Sequence, residues 1–314
     1  MPIANPLHAF HRLRTRHHDQ RLAQVLAHQK EAFQTLRGTF AASYAALEGC
    51  QAQHLVRPLW RTFTASLERD LLPAPSFAFL NVPTIMTTMF ITKGGLWLRR
   101  ELALLEARLP EQALRSLLHE DYVGLPLLAL TRYLTSHNTV HHLYHLVRFC
   151  QATGSALSQL ATIVEWGGGY GNLAKIFRRF HGGRPTYVLI DLPLLACLQW
   201  LYLATIFGPG EVVLLLNPGE SIQPGKFNIV PVCFLDVVPR VADLFVSTWA
   251  LSESSHQAVD TVADRWFGAR HLLLAYQKHS RIFPSAERVG ELAVAKGAVI
   301  ESIDFLPRSR YVFR

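Results

Sequence analysis

Apolar residues recur at helical spacing through the first half of the chain. Leu22, Val25, Leu26, Phe33, Leu36 and Phe40 form one such stripe, and Gly38 weakens its end. Pro58, Pro73, Pro75 and Pro83 punctuate the next region, so a loop is expected from Asp70 to Pro83. Helices are predicted again over Leu96–Arg108, Glu111–Leu118 and Thr139–Ala152. Near residue 150 the pattern changes to short apolar runs alternating with amphipathic ones. Strands are predicted at Ala161–Trp166, Thr186–Asp191, Glu211–Leu216, Phe227–Val232, Ala242–Thr248 and Arg270–Gln277. The last two are almost wholly apolar, as central strands buried on both faces are. The closing stretch "AVIESIDFLPRSRYVFR" holds two strand-like pieces that suit an antiparallel hairpin at a sheet edge. The expected division is a mainly helical N-terminal domain at 1–150, serving as substrate lid, oligomerisation surface or both, and an α/β domain at 151–314.

Composition narrows this modestly. Of 314 residues, 50% are hydrophobic and 17% charged, a rather apolar globular balance. The net charge of +8 is spread along the chain. Its densest cluster, His11 to Arg21, has no interleaved aromatics, so nucleic-acid binding is not expected. The four cysteines (Cys50, Cys150, Cys197, Cys233) form no CxxC pair and no metal-type spacing. They are expected to be reduced, buried thiols of a cytoplasmic protein. The N-terminal stretch lacks the apolar core of a secretory signal. The run Pro193–Phe207 is short of the ~20 residues that span a bilayer, so a core helix is expected and no transmembrane segment.

The candidate chemistry starts at "EWGGGYGNL", Glu165 to Leu173, four glycines between a strand and a helix. Such a loop brings backbone N–H groups and a helix N-terminus up to a ligand. Gly169 to Ala174 satisfies GxGxxA, which alone would allow a nicotinamide dinucleotide. Glu165 argues otherwise: it repels a pyrophosphate but favours the ammonium and sulfonium of S-adenosylmethionine. Trp166-Gly167-Gly168 also separates the strand from the fingerprint, whereas a dinucleotide strand runs almost directly into its first glycine. Asp191, ending the second strand, suits ribose hydroxyls in either case.

The loop resembles that of class I S-adenosylmethionine-dependent methyltransferases, and the resemblance covers the C-terminal half. With "VEWGGGYGNLAKIF", "YVLIDLPLL", Gln199, Tyr202-Leu203 and "STWALSE" (Ser247 to Glu253), the chain is similar to the sugar O-methyltransferase family. "HEDYVGLP" and "LTSHNTVHHLYHL" resemble the segment that precedes that family's core; Ser247 and Ala250 depart from its more usual Asn and Ser. The resemblance implies a Rossmann-like doubly wound sheet with an antiparallel C-terminal edge strand, S-adenosylmethionine as cofactor, and a saccharide or other small-molecule acceptor. Glu165, Gly167, Gly168, Gly169 and Gly171 are expected at the amino-acid end of the cofactor and Asp191 and Leu192 at its ribose. Phe234 and Leu235, with Asp236, are expected at its adenine, and Ser247 at the end of the strand facing it.

Catalytic candidates are Glu253 and His256 after the strand ending at Thr248, Glu120 beside Asp121, and the cluster His137, His141, His142 and His145. Within that cluster His142 and His145 are singled out. Glu253 is also suited to capping the next helix, the adjacent acids to a solvated surface, and Trp249 to either a sugar-facing wall or a core position. HExxH is absent and Asp260 and Asp264 lie far along the chain, so no metal is expected. A homo-oligomer is compatible with the helical half. Rival readings are methylation of a non-sugar molecule, NAD-dependent redox chemistry, and a catalytically silent partner protein.

Overall fold

Eight strands form one sheet in the order β3-β4-β2-β1-β5-β6-β8-β7 in the computed structural model, which describes residues 23–50, 52–92, 94–129, 131–284 and 286–314. Leu22 and the basic cluster His11–Arg21 lie outside the described residues. The strands are β1 (Thr162–Trp166), β2 (Thr186–Asp191), β3 (Val212–Leu214), β4 (Phe227–Pro231), β5 (Leu244–Thr248), β6 (His271–Gln277), β7 (Val299–Ser302) and β8 (Ser309–Phe313). β1 to β6 are mutually parallel. β8 is antiparallel to both β6 and β7. The expected hairpin therefore closes one edge, but its antiparallel strand fills the gap between β6 and β7 while β7 is outermost. The Glu211–Leu216 strand is shorter than expected, because a 3-10 turn at Pro209–Glu211 occupies its start.

The period-two alternation of strands sorts their side chains into two cores. Ile163, Tyr187, Leu189, Phe227, Ile229 and Leu273 face one side; Val164, Trp166, Val188, Ile190, Val230 and Leu272 face the other. The first face packs on α7 (His137–Thr153), α8 (Asn172–His181) and α9 (Pro193–Phe207). The second packs on α10 (Ala250–Glu253), α11 (His256–Ala263) and α12 (Arg288–Val294). Helices on both faces of a largely parallel sheet make a Rossmann-like, doubly wound α/β fold. α9 is a core helix, and no described helix is long and apolar enough to cross a membrane.

The helical half comprises α1 (residues 23–37), α2 (Phe40–Ala45), α3 (Pro58–Leu71), α4 (Pro83–Thr88), α5 (Leu96–Arg108) and α6 (Glu111–Leu117). The Leu22–Phe40 stripe breaks at Gly38 into α1 and α2, and α3 runs through Asp70 and Leu71, into the start of the expected Asp70–Pro83 loop. Phe33, Phe40, Leu71 and Leu105 join the same core as α8 and α9. Two further expectations fail. Cys50 and Cys233 form a disulfide, their Cα atoms 5.4 Å apart, because the topology brings the segment after α2 against the turn following β4. Only Cys150 and Cys197 are free thiols. Glu120 and Asp121 are not a solvated surface: both are buried with Lys175 and Arg179.

Candidate functional site

The glycine loop follows β1 and is folded by its own backbone. Gly167, Gly169 and Gly171 all have positive φ, of 75°, 59° and 95°. Gly167 is the most constrained, since a Cβ there would lie 2.0 Å from the Cβ of Ala250. The Gly167 N–H donates to the carbonyl of Ile190 at 2.8 Å, tying the loop to the end of β2. Gly171 then serves as N-cap of α8, so the helix N-terminus opens beside the loop.

Two carboxylates frame this loop. Glu165, 2% exposed, accepts a hydrogen bond from the Tyr187 hydroxyl at 2.8 Å. Burial drives its pKa up to about 8, against that hydrogen bond and with nearby Asp191 adding to the rise. Asp191 at the end of β2 is likewise raised, to about 7, by burial. One oxygen of Asp191 accepts from the Leu192 N–H at 2.8 Å and the other from Gln199 Nε2 at 2.6 Å. The same Gln199 nitrogen donates to the Gly169 carbonyl at 3.0 Å, so one buried amide on α9 holds the loop and the acid together.

These groups line one wall of a cleft of about 350 Å³. Glu165, Gly167, Gly168, Gly169, Asp191 and Leu192 all reach it. Met89, Asn138, His141, His142, Trp249 and Glu253 line it as well. Met89 links the loop to α7, its sulfur 3.7 Å from where a Gly169 Cβ would sit and its carbonyl accepting from Asn138 Nδ2 at 3.0 Å. Trp249 follows β5 with φ of 67°, uncommon for a bulky residue, and stacks on His141 with ring centroids 5.7 Å apart. Trp249 is thus a wall of the cleft rather than an ordinary core tryptophan.

α7 begins two residues before the apolar periodicity suggests, because Ser136 caps it by accepting from the Thr139 N–H. That start places His137 and Asn138 in the first turn, where both line the cleft. Glu101 on α5, wholly buried, lies within hydrogen-bond distance of His137 Nε2, at 3.2 Å, and of His141 Nδ1. Burial raises its pKa, but the two imidazoles, His141 foremost, more than offset this and hold it near about 2. His142 Nδ1 meets Asn172 Nδ2 at 2.8 Å, while Asn172 Oδ1 accepts from the Tyr202 hydroxyl at 3.3 Å. The amide therefore donates to His142, whose pKa burial lowers to about 3. That imidazole presents an N–H to its surroundings and is a poor base.

Glu253 reaches the cleft as a carboxyl raised to about 7 by burial, with Trp60 and Arg57 acting against the rise. It does not cap α11; the Ser255 hydroxyl does, accepting from Ala258 N–H at 3.0 Å.

Other expected residues lie elsewhere. His256 is exposed at the start of α11, turned out by the cap before it. His145 is wholly buried against the Tyr311 hydroxyl. Glu120 is locked behind the cleft: Oε1 pairs with Lys175 Nζ at 3.0 Å, and Oε2 accepts from Ser136 N–H and the Thr139 hydroxyl, each at 2.8 Å. Phe234 and Leu235 are partly buried in the 3-10 segment Val232–Val237, Asp236 is exposed, and it is Val232 that lines the cleft. Ser247 is buried, its hydroxyl donating to the Trp166 carbonyl and accepting from Leu251 N–H, both at 3.0 Å. Gly171 caps α8 without lining the cleft. Glu101, Met89 and Gln199's bridging role were not read from sequence; Glu101 sits 36 and 40 residues from its histidines, on a helix whose pattern gives no sign of it.

No family model matches the chain, and no curated protein matches it. Among solved structures it is similar to an O-methyltransferase from Bacillus cereus in complex with SAH, at 10% identity and TM-score 0.39, over 69% of this chain and 97% of that one. It is also similar to Aeropyrum pernix fibrillarin in complex with natively bound S-adenosyl-L-methionine (14%, TM-score 0.35, 54% and 73%). A SAM-dependent methyltransferase from Aquifex aeolicus matches at 14%, TM-score 0.34, over 49% and 80%. The chemistry assigned to this chain below rests on its own residues.

Proposed function

We propose that the cleft binds S-adenosylmethionine and transfers its methyl group to a hydroxyl of a small molecule, a sugar or glycosylated compound. The carrying observation is the convergence of Glu165, the Gly167–Gly169 backbone and the Gln199-held Asp191 on one wall. Glu165 suits the cofactor's ammonium, and Asp191 its ribose hydroxyls. A carboxylate beside the loop opposes a pyrophosphate, which favours this reading over a dinucleotide. The acceptor then enters against Trp249, His141, Asn138 and Glu253: an aromatic face flanked by polar groups, as the apolar face and hydroxyls of a sugar require. Glu253, a cleft carboxyl with its pKa raised to about 7, is the group suited to accept the hydroxyl proton, and close in-line placement supplies much of the remaining rate.

Thermal unfolding with S-adenosylhomocysteine and, separately, NAD tests this. Ligand at about 100 times its Kd stabilises by roughly 2.7 kcal/mol. The homocysteine product is expected to raise the Tm and NAD to leave it unchanged; a rise with NAD alone would sink the reading. Transfer of labelled methyl to a panel of saccharides and of non-sugar alcohols then separates the acceptor classes.

A further inference from the structure

The sequence suggests no metal, yet three side chains on two helices bring a different arrangement to the cleft. Glu101 of α5 and His137 and His141 of α7 each present one ligand atom, and these atoms lie within 4.8 Å of one another. Around a tetrahedral zinc ion with bonds of about 2.0–2.2 Å, ligand atoms sit roughly 3.3 Å apart. Glu101 Oε2 and His137 Nε2 are already 3.2 Å apart. Two imidazoles and one carboxylate form the ligand set of catalytic zinc sites, and histidine donors favour such transition ions over magnesium or calcium.

We propose that Glu101, His137 and His141 hold a zinc-class divalent cation at the acceptor side of the cleft. Charge supports it. The buried carboxylates Glu120 and Asp121 have Lys175 and Arg179, whereas Glu101's ion pairs among the described residues are with imidazoles alone. A buried carboxylate without a permanent cation is costly, and a divalent ion between it and two neutral imidazoles removes that cost. The surroundings of the ligands fit as well. His137 Nδ1 lies 3.1 Å from the Thr92 hydroxyl, which can accept its N–H and leave the Nε2 lone pair for the ion. His145 packs its ring 4.1 Å, centroid to centroid, from that of His141, and its buried Nε2 has no partner among the described residues. The cluster is therefore polar beyond the hydrogen bonds it makes.

His137 and His141 both line the cleft, so an ion held between them would border the space proposed for the acceptor. In the reaction, which rests on the methyltransferase reading above, the ion binds the acceptor oxygen and lowers the pKa of its hydroxyl. The proton leaves to Glu253. The oxygen's electron pair forms the O–CH₃ bond as the CH₃–S⁺ bond breaks, giving the methyl ether and S-adenosylhomocysteine.

Titration of the chelator-treated protein with Zn²⁺, and with Co²⁺ followed by its visible absorption, tests the site directly. Stoichiometric binding with a low-coordinate Co²⁺ spectrum is expected. Glu101→Gln and His137→Ala should each weaken it by roughly 100-fold or more, with circular dichroism confirming the fold. No stoichiometric binding, or binding that survives both substitutions, would overturn the proposal. S-adenosylhomocysteine binding is measured on the same samples: metal failure with cofactor binding intact removes only the ion, and the reverse removes only the methyltransferase reading.

Discussion

At the scale of single residues, the proposed cofactor wall combines steric and electrostatic constraint. Gly167→Ala forces a Cβ to within 2.0 Å of Ala250 at a φ of 75°, so the loop must shift. Loss of S-adenosylhomocysteine binding is expected by calorimetry; wild-type affinity would mean that the loop does not form the cradle. The raised pKa values of Glu165 and Asp191, about 8 and about 7, have a signed consequence. Both are protonated in acid, and a bound ammonium beside Glu165 favours its ionised form, so binding releases protons. Affinity should therefore rise with pH between about 6 and about 9, by up to about tenfold per unit for each proton released. Calorimetry in buffers of different ionisation heat reads that release, and a flat profile would show that neither carboxylate contacts the ligand.

At the scale of elements, α8 carries the glycine loop on one end and is bolted to the N-terminal half along its side. Lys175, wholly buried, pairs with Glu120 at 3.0 Å and Asp121 at 3.3 Å; Arg179 pairs with Asp121 at 2.8 Å. Glu120 in turn anchors Ser136 and Thr139 at the start of α7, the helix that presents the histidines. Lys175→Met leaves two buried carboxylates with one cation fewer and should cost about 3–5 kcal/mol in urea unfolding. A change below about 1 kcal/mol, the range of exposed pairs, would show the network to be solvated.

At the scale of the whole molecule, the helical half and the sheet share one core, so the cleft lies between elements whose relative positions are set by packing. The Cys50–Cys233 disulfide adds a covalent tie, across 183 residues, between the segment after α2 and the turn following β4. Cys50→Ser is expected to lower stability by about 2–4 kcal/mol under oxidising conditions. Equal denaturation midpoints for this variant and wild type, measured without reductant, would show that the tie does not constrain the unfolded chain.

How much of this was legible depended on the range of the interaction. Hydrophobic period and glycine spacing are local, and they were enough to predict β1, β2, α9, the loop between β1 and α8, and an acid in the last two positions of each of the first two strands. They also foretold a histidine cluster, because i, i+4 neighbours share a helix face. What local pattern does not carry is which distant group each side chain meets. Glu101 becomes the partner of His137 and His141 only because α5 packs across α7; Glu120 is drawn away from the cleft by Lys175; Cys50 finds Cys233 through the crossover of the sheet. His256 and Ser247 lie near the expected chemistry in sequence, but a cap turns one outward and a backbone carbonyl holds the other inward. The sequence by itself determined the elements and the character of the glycine loop with its two acids, since both follow from short-range sterics and periodicity. Only the tertiary structure decided which polar residues join that loop in the cleft, because burial and long-range pairing select among residues that look alike along the chain.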